Sequence, residues 1–155
     1  MHKPFYASGF LYHPASQQIL LYQPPLLKNP LAVWKTFGGL SCAGEDAPVT
    51  FRRIIYEQTK IRLKVKCLFP VYDYFSRARN VLHYVFYAEV EKLFTFPLLK
   101  TGVLSWFTFK STNKLSFADC IKQDMIVSER VINAQARSKK TSLLQPEALP
   151  SSTLS

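Results

Sequence analysis

The sequence predicts an α/β domain in which a mixed sheet is flanked by helices. Three observations point there. Short apolar runs of strand length recur along the chain, some alternating with polar residues and some continuous. Two stretches, 46–59 and 118–136, carry apolar residues at helical spacing. Strands stand on both sides of the first of these helices.

Residues 6–13 and 17–23 read as two strands, and Pro14-Ala15-Ser16 between them supplies a hairpin turn. Residues 23–30, rich in Pro, read as a loop. Residues 31–37 read as a short strand running into Gly38-Gly39, which are expected in the loop before the helix. Asp46 is the expected N-cap of that helix, with Pro48 in its first turn. Phe51, Ile54, Ile55 and Ile61 supply its apolar stripe. Residues 62–71 alternate basic and apolar side chains and then become apolar, as in a strand passing from edge to interior. Residues 72–80 read as a loop. Residues 81–90 and 103–109 read as strands. The second helix presents Ile121, Met125 and Ile132 near one face. Beyond Ser138 the chain is rich in Ser, Thr and Pro without apolar periodicity, so the domain is placed at 1–137 and a flexible tail at 138–155.

A chain of 155 residues fits one domain, and 48% apolar with 14% aromatic residues argues against disorder of the whole. No apolar run reaches the roughly 20 residues of a membrane span, and the N-terminus has no signal-peptide apolar region. A membrane partner is therefore not expected. The three cysteines, Cys42, Cys67 and Cys120, are scattered, as are His2, His13 and His83. Neither a zinc site nor a disulfide framework is expected, and a cytoplasmic setting is. The net charge of +10 favours anionic partners. It also leaves few carboxylates for metal binding, and none between Lys92 and Ala118.

The stretch 37–61 carries the chemistry. Gly39, Glu45, Arg53, Ile55, Glu57 and Ile61 match the pattern G-x5-E-x7-R-E-U-x-E-E-x-G-U, with U aliphatic and no insertion. This resembles the Nudix box of MutT-like hydrolases. The order of strands before and after it, the terminal helix and the Ser105-Trp106-Phe107 stretch resemble the same family over about residues 4–136. The resemblance implies a Nudix-type α/β/α sandwich. It also implies hydrolysis of the diphosphate in a nucleoside-diphosphate-linked substrate, dependent on Mg²⁺ or Mn²⁺.

The box is degenerate. Ile54 and Gln58 stand where the pattern has Glu, and Lys60 where it has Gly. Positions 54, 57 and 58 are spaced to share a helix face, where three carboxylates would offer hard oxygen ligands to a divalent cation. Here Glu57 alone is charged. The resemblance implies Glu57, Arg53 and Glu45 as catalytic-site residues, with Glu57, Gln58 and the Gly38 carbonyl as ligands of a weakly held metal. Glu89 and Glu91 are the remaining acids that could substitute. Structural roles stand beside these. Arg53 and Glu57 can brace the helix as an i, i+4 pair, Glu45 can support the loop at its start, and the glycines can permit a tight turn.

Tyr74, Phe75, Arg77 and Arg79 are candidate substrate contacts, aromatic faces for a base and guanidinium groups for phosphate. A solvated hairpin loop is the plainer alternative. The expected activity is weak diphosphate cleavage. The alternatives are a non-catalytic nucleotide- or RNA-binding regulatory module, and a scaffold. A nucleotide-type small molecule is the expected partner. Nucleic acid is open on charge but has no motif behind it. The oligomeric state is left open, a dimer included.

Overall fold

The computed structural model describes residues 2–28, 30–96 and 102–144. Six strands form one mixed sheet: β1 (Tyr6–His13), β2 (Gln18–Gln23), β3 (Phe37–Leu40), β4 (Leu68–Ser76), β5 (Val81–Glu89) and β6 (Val103–Thr108). The order is β4-β5-β1-β2-β6, and β3 also pairs with β1. Only β1 and β5 are parallel among these pairs. Along one edge of β1, β3 covers Tyr6 to Gly9 and β2 covers Leu11 to His13.

The helices are α1 (Ala47–Thr59), the short α2 (Phe109–Thr112) and α3 (Asp119–Leu144). Each face of the sheet has its own core. Ala7, Leu11, Phe37, Phe86 and Ala88 meet Phe51, Ile54 and Ile55 of α1. Phe10, Tyr12, Ile19, Leu21 and Tyr87 meet Met125 and Ile132 of α3. The period of two along β1 sends alternate side chains to these two layers. Gly9 belongs to the close contact of β1 and β5, since a Cβ there would collide with the Phe86 carbonyl oxygen. Among the described residues, no helix is long and apolar enough to cross a membrane.

The start of α1 follows the sequence. Asp46 is extended, and its Oδ1 accepts from the Val49 N–H at 3.0 Å. At the other end Lys60 is left-handed at φ 64°, and its N–H donates to the Tyr56 carbonyl at 2.8 Å.

Several expectations are corrected. Residues 31–37 do not form a strand; Lys35 makes an isolated bridge with Tyr22, and β3 begins at Phe37. Gly38 and Gly39 therefore lie within β3 rather than in the loop before α1. The glycines let that strand run close to its neighbours, since a Cβ at Gly38 would stand 2.7 Å from Tyr6 Oη and one at Gly39 3.0 Å from Ile54 Cδ1. Residues 62–67 are not a strand either. Leu63 is buried while Arg62 and Lys64 are exposed, and a 3₁₀ turn at Val65–Cys67 leads into β4. Single apolar anchors on an irregular segment mimic strand alternation.

The segment 72–80 is mostly not a loop. Tyr72 to Ser76 belong to β4, paired with Val81 to Val85 of β5 after a bulge near Pro70. Phe109 leaves the sheet to open α2, where the Thr108 hydroxyl accepts from the Ser111 N–H. Helix α3 continues to Leu144, past the expected domain end at residue 137. Residues 133–140 are all exposed, so nothing in their pattern reports a buried face. The part of the expected tail at 145–155 lies outside the described residues.

Candidate functional site

The box builds a hub around Arg53. Its Nε donates to Glu45 Oε2 at 2.7 Å and its Nη2 to Glu45 Oε1 at 3.1 Å. Nη2 also donates to the Leu40 carbonyl at 2.9 Å, and Nη1 reaches both oxygens of Glu57 at 3.3 Å. Glu45 further accepts from the Cys42 N–H and the Thr50 hydroxyl. The Arg53 hydrogen bond, helped by those two donors and opposed by partial burial, holds the Glu45 carboxyl at about 2. The same bonds raise the pKa of Arg53. One arginine thus ties the end of β3, the following loop and α1 into a unit.

The face expected to gather 54, 57 and 58 is split. Ile54 is buried against Gly39, whereas Glu57 and Gln58 are exposed. Among the described residues, no group of three or more His, Cys, Asp or Glu is placed to hold a metal ion. Glu45 has its oxygens engaged, Glu57 is paired with Arg53, and Gln58 adds no charge. Gly38 stands opposite Ser8 in the β1–β3 ladder. A hard divalent cation wants several anionic oxygens, and these residues do not fit one. Glu89 does not repair the set, being paired with Lys139 at 3.4 Å.

A second constellation lies on the α3 face of the sheet. Asp124 is 3% exposed and accepts from Tyr72 Oη at 2.7 Å and Tyr74 Oη at 3.2 Å. Burial raises the Asp124 pKa, and the two tyrosine bonds oppose that rise. Burial, with Asp124 beside them, raises both tyrosines. His83 bonds Ser8 Oγ at 2.7 Å, and its ring meets those of Tyr6 and Tyr74 with centroids 4.8 and 4.9 Å away. Burial first, then the charge of Arg79, lowers His83 to about 4, so it is neutral at physiological pH. The Arg79 guanidinium carbon sits 3.9 Å from the Tyr6 ring centroid.

The two regions meet at β3. Gly39 faces Ile54, and Gly38 faces Tyr6 and Ser8. Of the residues expected to contact substrate, Tyr74 and Arg79 join this second constellation. Phe75 points to the opposite face of β4 by strand alternation, and Arg77 is exposed in the turn. Tyr6, Tyr72, His83 and Asp124 complete the cluster and were not among the residues expected there. One signal was legible: Asp124 falls between Ile121 and Ser128 on the inward stripe of α3, where a carboxylate needs a partner.

No family model matches the sequence, and no curated protein matches it. Solved structures do. The Nudix domain of Shewanella oneidensis NrtR, complexed with ADP ribose, superposes with a TM-score of 0.63 at 16% identity, over 85% of this chain and 90% of that one. A binary complex of a C. elegans Ap4A hydrolase gives 0.60 at 15%, over 83% and 98%. A MutT protein from Bacillus halodurans gives 0.59 at 20%, over 81% and 80%. The fold is that of the Nudix/MutT hydrolases.

Proposed function

We propose that this Nudix-fold chain binds a nucleoside-diphosphate-linked small molecule and cleaves its diphosphate slowly. The observation that carries the reading is the cluster of Tyr6, Tyr74, Asp124 and Arg79 beside Gly38. It offers aromatic rings for a base, a buried carboxyl for hydrogen bonding and a guanidinium for phosphate. That NrtR's Nudix domain is complexed with ADP ribose supports the same ligand class here.

Tyr74 and Arg79 are the proposed ligand contacts. Glu57, Arg53 and Glu45 are the proposed box residues beside the diphosphate, with Glu57 the exposed carboxylate among them. Slowness follows from the donor set. Where box-complete proteins have three carboxylates on the helix, this chain has Glu57, and Arg53 already neutralises it.

A second reading, a nucleotide-binding module without catalysis, is favoured by the burial of Ile54. One experiment separates the two. Nucleoside triphosphates, dinucleoside polyphosphates, ADP-ribose, NAD and nucleotide sugars are screened for hydrolysis with Mg²⁺ and with Mn²⁺, alongside calorimetric binding. Turnover that falls in Glu57→Gln supports slow hydrolysis. Binding without turnover supports the module. Neither binding nor turnover overturns both readings and leaves a scaffold.

A further inference from the structure

The outer side of α1 carries a basic groove that shares only Arg53 with the proposed nucleotide site. It encloses about 340 Å³ and is lined by Val49, Arg52, Arg53, Tyr56, Arg62 and Leu63. None of the lining residues is acidic. Arg53 is compensated by Glu45 and Glu57, which leaves Arg52 and Arg62 as the uncompensated charges.

Both arginines are held in place. Arg52 Nε donates to the Leu63 carbonyl at 2.9 Å, fixing its guanidinium between helix and loop. Arg62 lies over the Tyr56 ring, 4.4 Å from its centroid, and its Nη2 donates to Tyr56 Oη at 3.3 Å. Lys60 Nζ stands 5.4 Å from the same ring. A guanidinium anchored over a ring through Nη2 keeps its remaining N–H groups for a phosphate.

The charge continues past the groove. Lys60, Arg62, Lys64 and Lys66 are all exposed, while Ile61 is half-buried and Leu63 is buried. The segment thus displays a row of cations from a short stretch of backbone anchored by those apolar residues. A row suits a ligand with phosphates repeated along its length better than a compact one. A positive groove tracking the backbone is how single strands are held through their phosphates without base-specific contacts. The net charge of +10 favours the same partner.

The geometry points to a docking site for single-stranded nucleic acid on the outer face of α1, gripped through its phosphates by Arg52, Arg62 and the Lys60–Lys66 row. It goes beyond the nucleotide reading, which takes Tyr74, Arg79 and the box residues Glu45, Arg53 and Glu57 and leaves Arg52, Arg62 and the Lys60–Lys66 row unused.

The test is fluorescence anisotropy of a labelled oligouridylate of about twenty nucleotides, with salt varied from about 50 to 200 mM. Arg62→Glu with Lys64→Glu is compared with Lys110→Glu with Lys122→Glu, an equal charge change on exposed residues of α2 and α3. The groove variant is expected to bind at least about tenfold more weakly, with a log–log salt slope shallower by about 1.4, while the distant variant changes less than about threefold. Arg62→Gln with Lys60→Gln, a milder pair, repeats the measurement if the reversal melts early. Absence of oligonucleotide binding overturns the proposal, as does an equal loss in the distant variant. Displacement by polyglutamate or tripolyphosphate as effective as by unlabelled oligonucleotide overturns it too, assigning the groove to an acidic protein or a compact anion. Nucleotide binding and turnover stay unchanged in the groove variants, so failure here is distinguishable from failure of the nucleotide reading.

Discussion

Ile54 packs on Gly39, so that a Cβ at residue 39 would stand 3.0 Å from Ile54 Cδ1. The position where the Nudix pattern has a glutamate is here part of the core, 3% exposed. Ile54→Glu is expected to lower the unfolding free energy by about 2–4 kcal/mol, because it buries a carboxylate with no partner. Gln58→Glu, on the exposed side, should change it by less than about 0.5 kcal/mol. Urea denaturation measures both. Calorimetric titration of the Gln58→Glu protein with Mg²⁺ should show tighter binding than wild type, since Glu57 then gains an anionic neighbour. A neutral Ile54→Glu would refute the packing argument.

Arg53 and Glu45 couple stability to acid. The folded pKa of Glu45, about 2, lies below its ordinary 4.5. Stability from this pair is therefore fully present above the ordinary value and is lost as pH falls towards about 2. Solvent screening around the partly open pair limits it to about 1–2 kcal/mol. Unfolding midpoints measured from pH 6 down to about 2 should fall more steeply for wild type than for Arg53→Met, in which Glu45 has lost its main partner. Parallel curves would show that the pair is not the source.

Lys60 occupies the left-handed position that ends α1, at φ 64°. An L-residue with a Cβ is disfavoured there by roughly 1 kcal/mol, and glycine is not. Lys60→Gly is expected to raise the melting temperature by a few degrees. An unchanged or lower value would mean that the Lys60 contact with Tyr56 outweighs the backbone strain.

Much of this fold could be read from the chain because its elements are locally consistent. Asp46, Pro48 and the apolar stripe of α1 agree with one another, and so do the alternating runs of β1 and β5. The errors arose where tertiary contact overrides local pattern. The Gly38-Gly39 pair reads as a turn, yet it is strand backbone kept narrow for Tyr6, Ser8 and Ile54. Tyr72 and Tyr74 read as loop aromatics, yet they point inward to one acid on a helix about fifty residues away. No local spacing reports that meeting. The arginine hub was half legible. The i, i+4 pair with Glu57 follows from spacing, but the shorter bonds to Glu45 depend on how the loop folds back.

The outer end of α3 should be dispensable. Between Ile132 and Lys140 every residue is exposed, and Lys139 pairs with Glu89 at 3.4 Å and stands over the Phe69 ring. An ion pair this open contributes under about 1 kcal/mol. A chain ending at Arg137 is expected to remain soluble, with its melting temperature lowered by no more than a few degrees. Loss of soluble protein would show that residues beyond 137 belong to the folding unit.

Asp124 separates bracing from ligand binding. Removing its side chain leaves the Tyr72 and Tyr74 hydroxyls without their acceptor, so Asp124→Ala should cost about 2–3 kcal/mol. Asp124→Asn keeps an acceptor oxygen in place. It also escapes the burial that raises the carboxyl's pKa, so at neutral pH it should lie within about 1 kcal/mol of wild type. Its amide, however, presents a different donor pattern to a ligand held at the cluster. If the cluster holds the nucleoside, Asp124→Asn should fold normally yet bind ADP-ribose or its better analogue at least about tenfold more weakly. Differential scanning calorimetry gives the first quantity and titration calorimetry the second. A folded Asn variant with unchanged affinity would make Asp124 a brace for β4 alone, and the ligand would then have to lie elsewhere.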